Sequence, residues 1–180
     1  MSGPVRRAVE LGANTFAFPR GAARPDEVCI VFRRPGGDVL VMRKTFYPSG
    51  VYRLPTGGIR PGEAVLHALH REAWEETGWT VAPAQTVPIA VVTYRGGPAL
   101  ACRSFVFLIE GVDGAPRPQD PHEQVADFRW VPSGTLVALA GALEALGPEQ
   151  APDLESTWRD WGRFRAVVHR LVEELLRKNS

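Results

Sequence analysis

Residues 57–79 read GGIRPGEAVLHALHREAWEETGW, and the rest of the chain is read outward from this stretch. Pro55, Pro61 and the Gly57-Gly58 pair punctuate a loop, and Gly62 leads into a helix at about Glu63. Gly78 follows the last periodic residue, where a helix commonly ends in a left-handed turn. From Glu63 to Thr77 the apolar residues Val65, Leu66, Leu69 and Ala73 fall close to one helical stripe. Glu72, Glu75 and Glu76 stand at i, i+3 and i+4, so their side chains share a face.

Carboxylates packed that closely repel one another, by on the order of a few tenths of a kcal/mol per i, i+4 pair in an isolated helix. Glu63 lies about two and a half turns upstream near the same edge, and Arg71 offsets part of the charge. A hard divalent cation offsets far more. Magnesium takes oxygen ligands in octahedral geometry and keeps several waters, so convergent glutamates suit it. On the helix alone, a solvated acidic face is the other reading.

The full spacing resembles the signature of the Nudix hydrolase family: Gly, five residues, Glu, seven residues, then Arg-Glu-bulky-x-Glu-Glu-x-Gly-bulky. Gly57, Glu63, Arg71, Glu72, Ala73, Glu75, Glu76, Gly78 and Trp79 stand at those places, and every fixed identity matches. At roughly one in fifteen per identity, chance gives on the order of 10⁻⁸ per starting position. The departures are Ala73, which is small, and Trp79, which is aromatic; both bear on packing and leave the metal chemistry intact.

The resemblance implies an α/β fold, the Nudix α/β/α sandwich, with a mixed sheet and the helix of the signature across one side. It implies hydrolysis of the diphosphate linkage in a nucleoside diphosphate joined to another group, with Mg²⁺, or Mn²⁺, as cofactor. Carried over residue by residue, Glu72, Glu75 and Glu76 are metal ligands, with the Gly57 carbonyl a further oxygen. Glu63 is an accessory acid, and Arg71 holds a carboxylate by a bidentate pair. Family members often use one more carboxylate as base or ligand; Glu123 and Asp127 are the candidates, with His122 a rival base. Glu123, in an acidic loop, is the expected choice, so the catalytic residues are Glu72, Glu76 and Glu123. Two alternatives carry different requirements. A ligand-sensing domain on the same fold usually loses glutamates from the signature, and none is missing here. An isomerase on this fold needs a catalytic cysteine and glutamate outside it.

Composition agrees with a small-molecule enzyme. The chain has 180 residues, 44% of them hydrophobic, and a formal net charge of +1. That balance argues against a protein that coats duplex nucleic acid or a membrane surface, and permits a small anionic ligand held by a few local arginines. Cys29 and Cys102 lie in apolar, strand-like runs without metal or redox spacing and read as buried thiols of a reducing compartment. No apolar segment approaches membrane-spanning length, and the expectation is a soluble, cytoplasmic protein.

In chain order, residues 1–25 form an arm or edge strand, with a short apolar piece at 14–18, and 26–180 form one domain that includes a C-terminal helix. Residues 27–33 and 39–42 read as two strands of a hairpin around Pro35-Gly-Gly-Asp38. Arg43, Lys44, Phe46, Tyr47 and Arg53 follow, and cations beside aromatic rings suit a nucleotide-like ligand. Arg43, Arg53, Phe46 and Tyr47 are the expected substrate contacts. Residues 52–55 read as a short strand feeding the loop. Thr56 stands where the family usually has a third glycine, which would restrict positive φ. Strands are expected near 89–94, 100–109 and 128–131. Ser133 would cap a helix through Leu146, and a last helix runs from Leu154 to about Arg177. Its broad apolar face docks on the sheet or, alternatively, forms a homodimer surface or a pocket wall. Gly162 within it, costing roughly 1 kcal/mol against Ala, suggests close approach by another backbone.

Overall fold

Alternation along one strand, β2 (Glu27–Arg33), divides the protein into two cores. Successive side chains of a strand point to opposite faces. Val28, Ile30 and Phe32 pack with Leu40, Phe107 and Ile109 against Ala68, Leu69 and Ala73 of the helix α1 (Val65–Thr77). Cys29 and Val31 pack with Val39, Val41, Val106 and Leu108 against Phe164, Val168, Leu171 and Val172 of the C-terminal helix. The sheet is therefore covered on both faces, as an α/β/α sandwich requires.

The computed structural model describes residues 3–11, 26–96, 99–151, 154 and 156–178. In chain order the further elements are β1 (Val5–Leu11), β3 (Asp38–Lys44), β4 (Thr56–Gly58), β5 (Thr86–Gly96), β6 (Ala99–Glu110), β7 (Val125–Pro132), α2 (Leu136–Glu144), β8 (Gln150–Ala151), β9 (Ser156–Thr157) and α3 (Trp158–Lys178). The main sheet has the order β1-β5-β6-β2-β3-β7, with β4 also on β2. β1 with β5 and β2 with β6 run parallel and the other pairs antiparallel, so the sheet is mixed. β1 is its edge strand; the apolar piece at 14–18 lies outside the described residues. Among the described residues no helix is long and apolar enough to cross a membrane.

The expected hairpin opens at once. Arg33 and Val39 are the paired residues of β2 and β3, and beyond them the segment 52–58 enters between the strands. Met42 and Arg53 exchange backbone hydrogen bonds of 2.8 and 3.0 Å, Ile30 N–H donates to Pro55 O at 2.9 Å, and β4 pairs with β2. The strand expected at 52–55 is thus a single bridge at Arg53, followed by β4. The loop before α1 is built into the sheet, which fixes Gly57. Thr56 fits because β4 is extended; Gln124 is the one described non-glycine residue with positive φ.

The last two helices start later than expected. Ser133 opens a 3₁₀ turn, and α2 begins at Leu136 with no side-chain cap; instead Glu173 of α3 accepts the Val137 N–H at 2.7 Å. Gln150 and Ala151 of β8 pair antiparallel with Thr157 and Ser156 of β9, so α3 begins at Trp158. A Cβ on Gly162 would lie 2.0 Å from Leu143 O, so α3 crosses the backbone of α2 at that glycine. The apolar face of α3 is packed on the sheet and on α2.

Candidate active site

α1 ends where the glycine predicts: Gly78 has φ 76° and donates its N–H to Trp74 O at 2.8 Å. Glu72 and Glu76 lie on the buried face of the helix, Glu75 at its border. Gly57 lies against Glu72 so closely that a Cβ there would fall 1.8 Å from Glu72 Cδ.

Arg71 organises one half of the site. Its Nε and Nη2 donate to the two oxygens of Glu63 at 2.8 Å each. Nη1 donates to Glu72 at 2.6 Å and to Glu75 at 2.9 Å, and Nη2 also reaches Gly58 O at 2.9 Å. The Arg71 hydrogen bonds hold Glu63 down at about 2. Burial pushes Glu72 up to about 7, and the Glu76 charge adds to this. Glu76 is fully buried, which raises its pKa against the opposing charges of Lys44 and Arg53.

The other half is built by Lys44 and the loop before β7. Lys44 Nζ lies 3.2 Å from Glu76 Oε1 and is ion-paired with Glu123. Neither Glu76 oxygen receives a directed hydrogen bond, so its contact with Lys44 is Coulombic. Glu123 ends a 3₁₀ turn, Pro121–Glu123, closed by Gln124 at φ 50°. The loop is docked on the end of α1: Arg117 N–H donates to Thr77 O at 2.8 Å and Gln119 N–H to Glu75 O at 2.9 Å. These bonds satisfy carbonyls that a helix terminus leaves free. Thr45 N–H donates to Gln124 O at 2.8 Å on the other side.

The result is a cluster in which oxygens of Glu72, Glu75 and Glu123 lie within 4.8 Å of one another. Hard oxygen donors, and the two Glu76 oxygens without hydrogen-bond partners behind them, fit a divalent cation. Glu123 thus joins the signature glutamates from 47 positions beyond Glu76, while Glu76 sits beneath the cluster with Lys44. The rival carboxylate and base fall elsewhere. Asp127 accepts from the Tyr52 hydroxyl and from Phe128 N–H at 2.9 Å. His122 is exposed and bonded to Asp120 at 2.9 Å.

Two of the four expected substrate contacts, Arg53 and Tyr47, are buried. Arg53 is 3% exposed; its Nε donates to the Tyr47 hydroxyl at 2.7 Å and its Nη1 to Leu54 O at 2.7 Å. Tyr47 packs among Phe46, Trp158 and Trp161, with ring centroids 4.9, 6.0 and 4.8 Å away. Both residues serve the interior. Arg43 and Phe46 are half-buried and reach the surface; Arg43 lies opposite Asp127 across β3 and β7. Lys44 is the residue the sequence undervalues, as one cation of a group. Its signal was period-two alternation, which puts it with Leu40 on the α1 face of β3. Cys29 and Cys102 are both buried, and burial pushes the Cys29 thiol up, away from the reactive thiolate an isomerase would need.

A profile of the NUDIX domain matches residues 23–154. An RNA pyrophosphohydrolase of Gluconobacter oxydans is 33% identical over 159 residues, 78% of this chain and 92% of its own. NAD-capped RNA hydrolases NudC of Stutzerimonas stutzeri and Chromobacterium violaceum are 30% and 37% identical over 68% and 61% of this chain. The chain spans about two fifths of the length of these two relatives. Among solved structures, a MutT protein from Methanosarcina mazei superposes with a TM-score of 0.56 at 19% identity, covering 90% of this chain and 99% of that one. With its signature residues gathered at one place in the sandwich and the domain profile matched over most of its length, the chain belongs to the Nudix hydrolase family.

Proposed function

We propose that the protein is a divalent-cation-dependent hydrolase that cleaves the diphosphate linkage of a nucleotide derivative, in the cytoplasm, with Mg²⁺ as its cation and Mn²⁺ as a substitute. The observation that carries this reading is the convergence of Glu72, Glu75 and Glu123 within 4.8 Å beside the buried Glu76. Glu72, Glu75 and Glu76, with the Gly57 carbonyl, hold the cation. A cation there supplies positive charge to the phosphate oxygens and acidifies water. Arg71 keeps Glu72 and Glu75 in register and so orients the site. Glu123, with 22% of its side chain exposed, is the carboxylate that water reaches, and it accepts the proton of the attacking water.

The organic half of the substrate is assigned to a groove of about 340 Å³ lined by Pro116, Arg117, Pro118, Ala126, Asp127 and Phe128. One wall of it is the loop whose Arg117 N–H is bonded to Thr77 O at the end of α1. Arg43, opposite Asp127, supplies a cation at its edge, and Phe46 is retained as a contact. The relatives named for RNA 5′ ends put pyrophosphate-linked RNA termini on the substrate panel beside free dinucleotides. Purified protein is to be incubated with NAD, ADP-ribose, dinucleoside polyphosphates, nucleoside triphosphates, and triphosphorylated or NAD-capped RNA, with Mg²⁺ or with EDTA. The expected result is Mg²⁺-dependent formation of a nucleoside monophosphate or a 5′-monophosphate end, identified by mass spectrometry. Turnover undiminished in EDTA, or no turnover of any of these compounds, would overturn the reading.

A further inference from the structure

We propose that Lys44 is a built-in counter-ion of the carboxylate cluster, competing with the divalent cation for Glu76 while it holds the proton acceptor Glu123 at the rim. The inference rests on the cation reading of the site given above. Its ground is the division of donors between the two cations. Arg71 has five N–H groups, and each is committed: to Glu63 twice, to Glu72, to Glu75 and to Gly58 O. It has none left for Glu76 or Glu123. Arg53 lies deeper, with donors directed to Tyr47 and Leu54 O. Lys44 is therefore the side chain that meets both remaining carboxylates, 3.2 Å from Glu76 and paired with Glu123.

Lys44 is itself almost buried, at 8% exposure, so its charge acts through a medium of low effective dielectric. A divalent cation near the cluster and the Lys44 ammonium repel one another and draw on the same carboxylate, Glu76. A lysine suits this exchange better than an arginine, because its charge is compact and sits on a flexible stem. It holds Glu123 against β3 and releases Glu76 when positive charge arrives from another source. Arg71, by contrast, stays committed whatever else is bound.

The test is calorimetric titration of Mg²⁺ and of Mn²⁺, without substrate, into wild type, Lys44→Met and Lys44→Arg. Lys44→Met is expected to bind both ions at least fivefold more tightly, since the competing charge is gone, while Lys44→Arg stays near wild type. In EDTA, Lys44→Met is expected to melt lower than wild type and to gain more from Mg²⁺. Lost packing alone would weaken the site, so tighter binding is the diagnostic sign. Should Lys44→Met fail to fold, Lys44→Gln, which keeps a donor for Glu123, must show the same rise in affinity. Equal or weaker binding in the uncharged variants would overturn the role of Lys44 alone. No binding of either ion by wild type would overturn the cation reading of the site, and this inference with it.

Discussion

Leu54 donates its backbone N–H to Nε2 of His169 at 3.0 Å, across 115 positions of sequence. The other ring nitrogen of His169 lies 2.7 Å from the carbonyl of Arg165, one helical turn earlier. Nε2 is thus the acceptor and Nδ1–H the donor, in a neutral, buried imidazole. This bond fastens the segment leading to Gly57 to the C-terminal helix, so the helix that closes one core also steadies the loop under Glu72.

That arrangement makes stability depend on pH. Burial lowers the His169 pKa from 6.5 to about 4. The unfolded chain takes up the proton first as pH falls. The neutral histidine's contribution is therefore complete above about pH 6.5 and is lost as pH falls toward about 4, by at most about 3 kcal/mol. Gln at 169 offers an acceptor and a donor but does not titrate. His169→Gln is expected to be less stable at pH 7.5 yet to lose less between pH 6.5 and 4, as read from urea midpoints. Parallel curves for the two proteins would refute the assignment.

Arg71→Ala strips Glu63 of the two hydrogen bonds from the guanidinium, leaving it the one from Arg60 N–H, and frees Glu72 and Glu75 from each other's register. Breaking a fully buried pair costs about 3–5 kcal/mol; this one is partly open to water, so about 2 kcal/mol is the working figure. For a domain of this size the melting temperature should drop by about 4–8 °C, together with turnover. Unchanged melting and unchanged kinetics would refute the organising role.

Gly57→Ala puts a methyl group where the Glu72 carboxyl group stands, 1.8 Å from Cδ. The obstructed atoms end a side chain, so Glu72 can turn away and the fold survives. Turnover is expected to fall about tenfold or more, with a melting shift of only a few degrees. A wild-type rate in this variant would show that Glu72 need not stand where it does.

The elements set by local rules were legible from the sequence. The glutamate spacing and Gly78 mark α1, the run 27–33 matches β2, and Gly162 announced a crossing that Leu143 O supplies. What escaped were tertiary pairings. Arg53 and Tyr47 read as ligand contacts because an arginine is rarely buried; here each satisfies the other beneath the sheet. The contact of Lys44 with Glu123 spans 79 positions, and no local pattern signals it. The hairpin at 35–38 opens because segment 52–58 competes for the inner edges of its strands, a choice made only when the whole sheet assembles.

Glu123 is where the proton acceptor and cation-holding roles divide. The attacking water must lose its proton to a group within hydrogen-bond reach, and such a base contributes about 10²–10⁴-fold. Glu72 and Glu76 are buried; Glu123 stands on a short turn at the rim, held by Lys44 and closed by a left-handed Gln124. A carboxylate so placed can meet water without leaving the site. Glu123→Gln keeps the shape and loses the basicity. Turnover is expected to fall by about 10²–10⁴-fold, and Mg²⁺ affinity by calorimetry to change less than about threefold. The proximity of Glu123 to Glu72 and Glu75 gives the measurement its edge. If Mg²⁺ affinity collapses along with the rate, Glu123 is a ligand and Glu72 becomes the acceptor to test. If rate and Mg²⁺ affinity both persist, Glu123 has neither role.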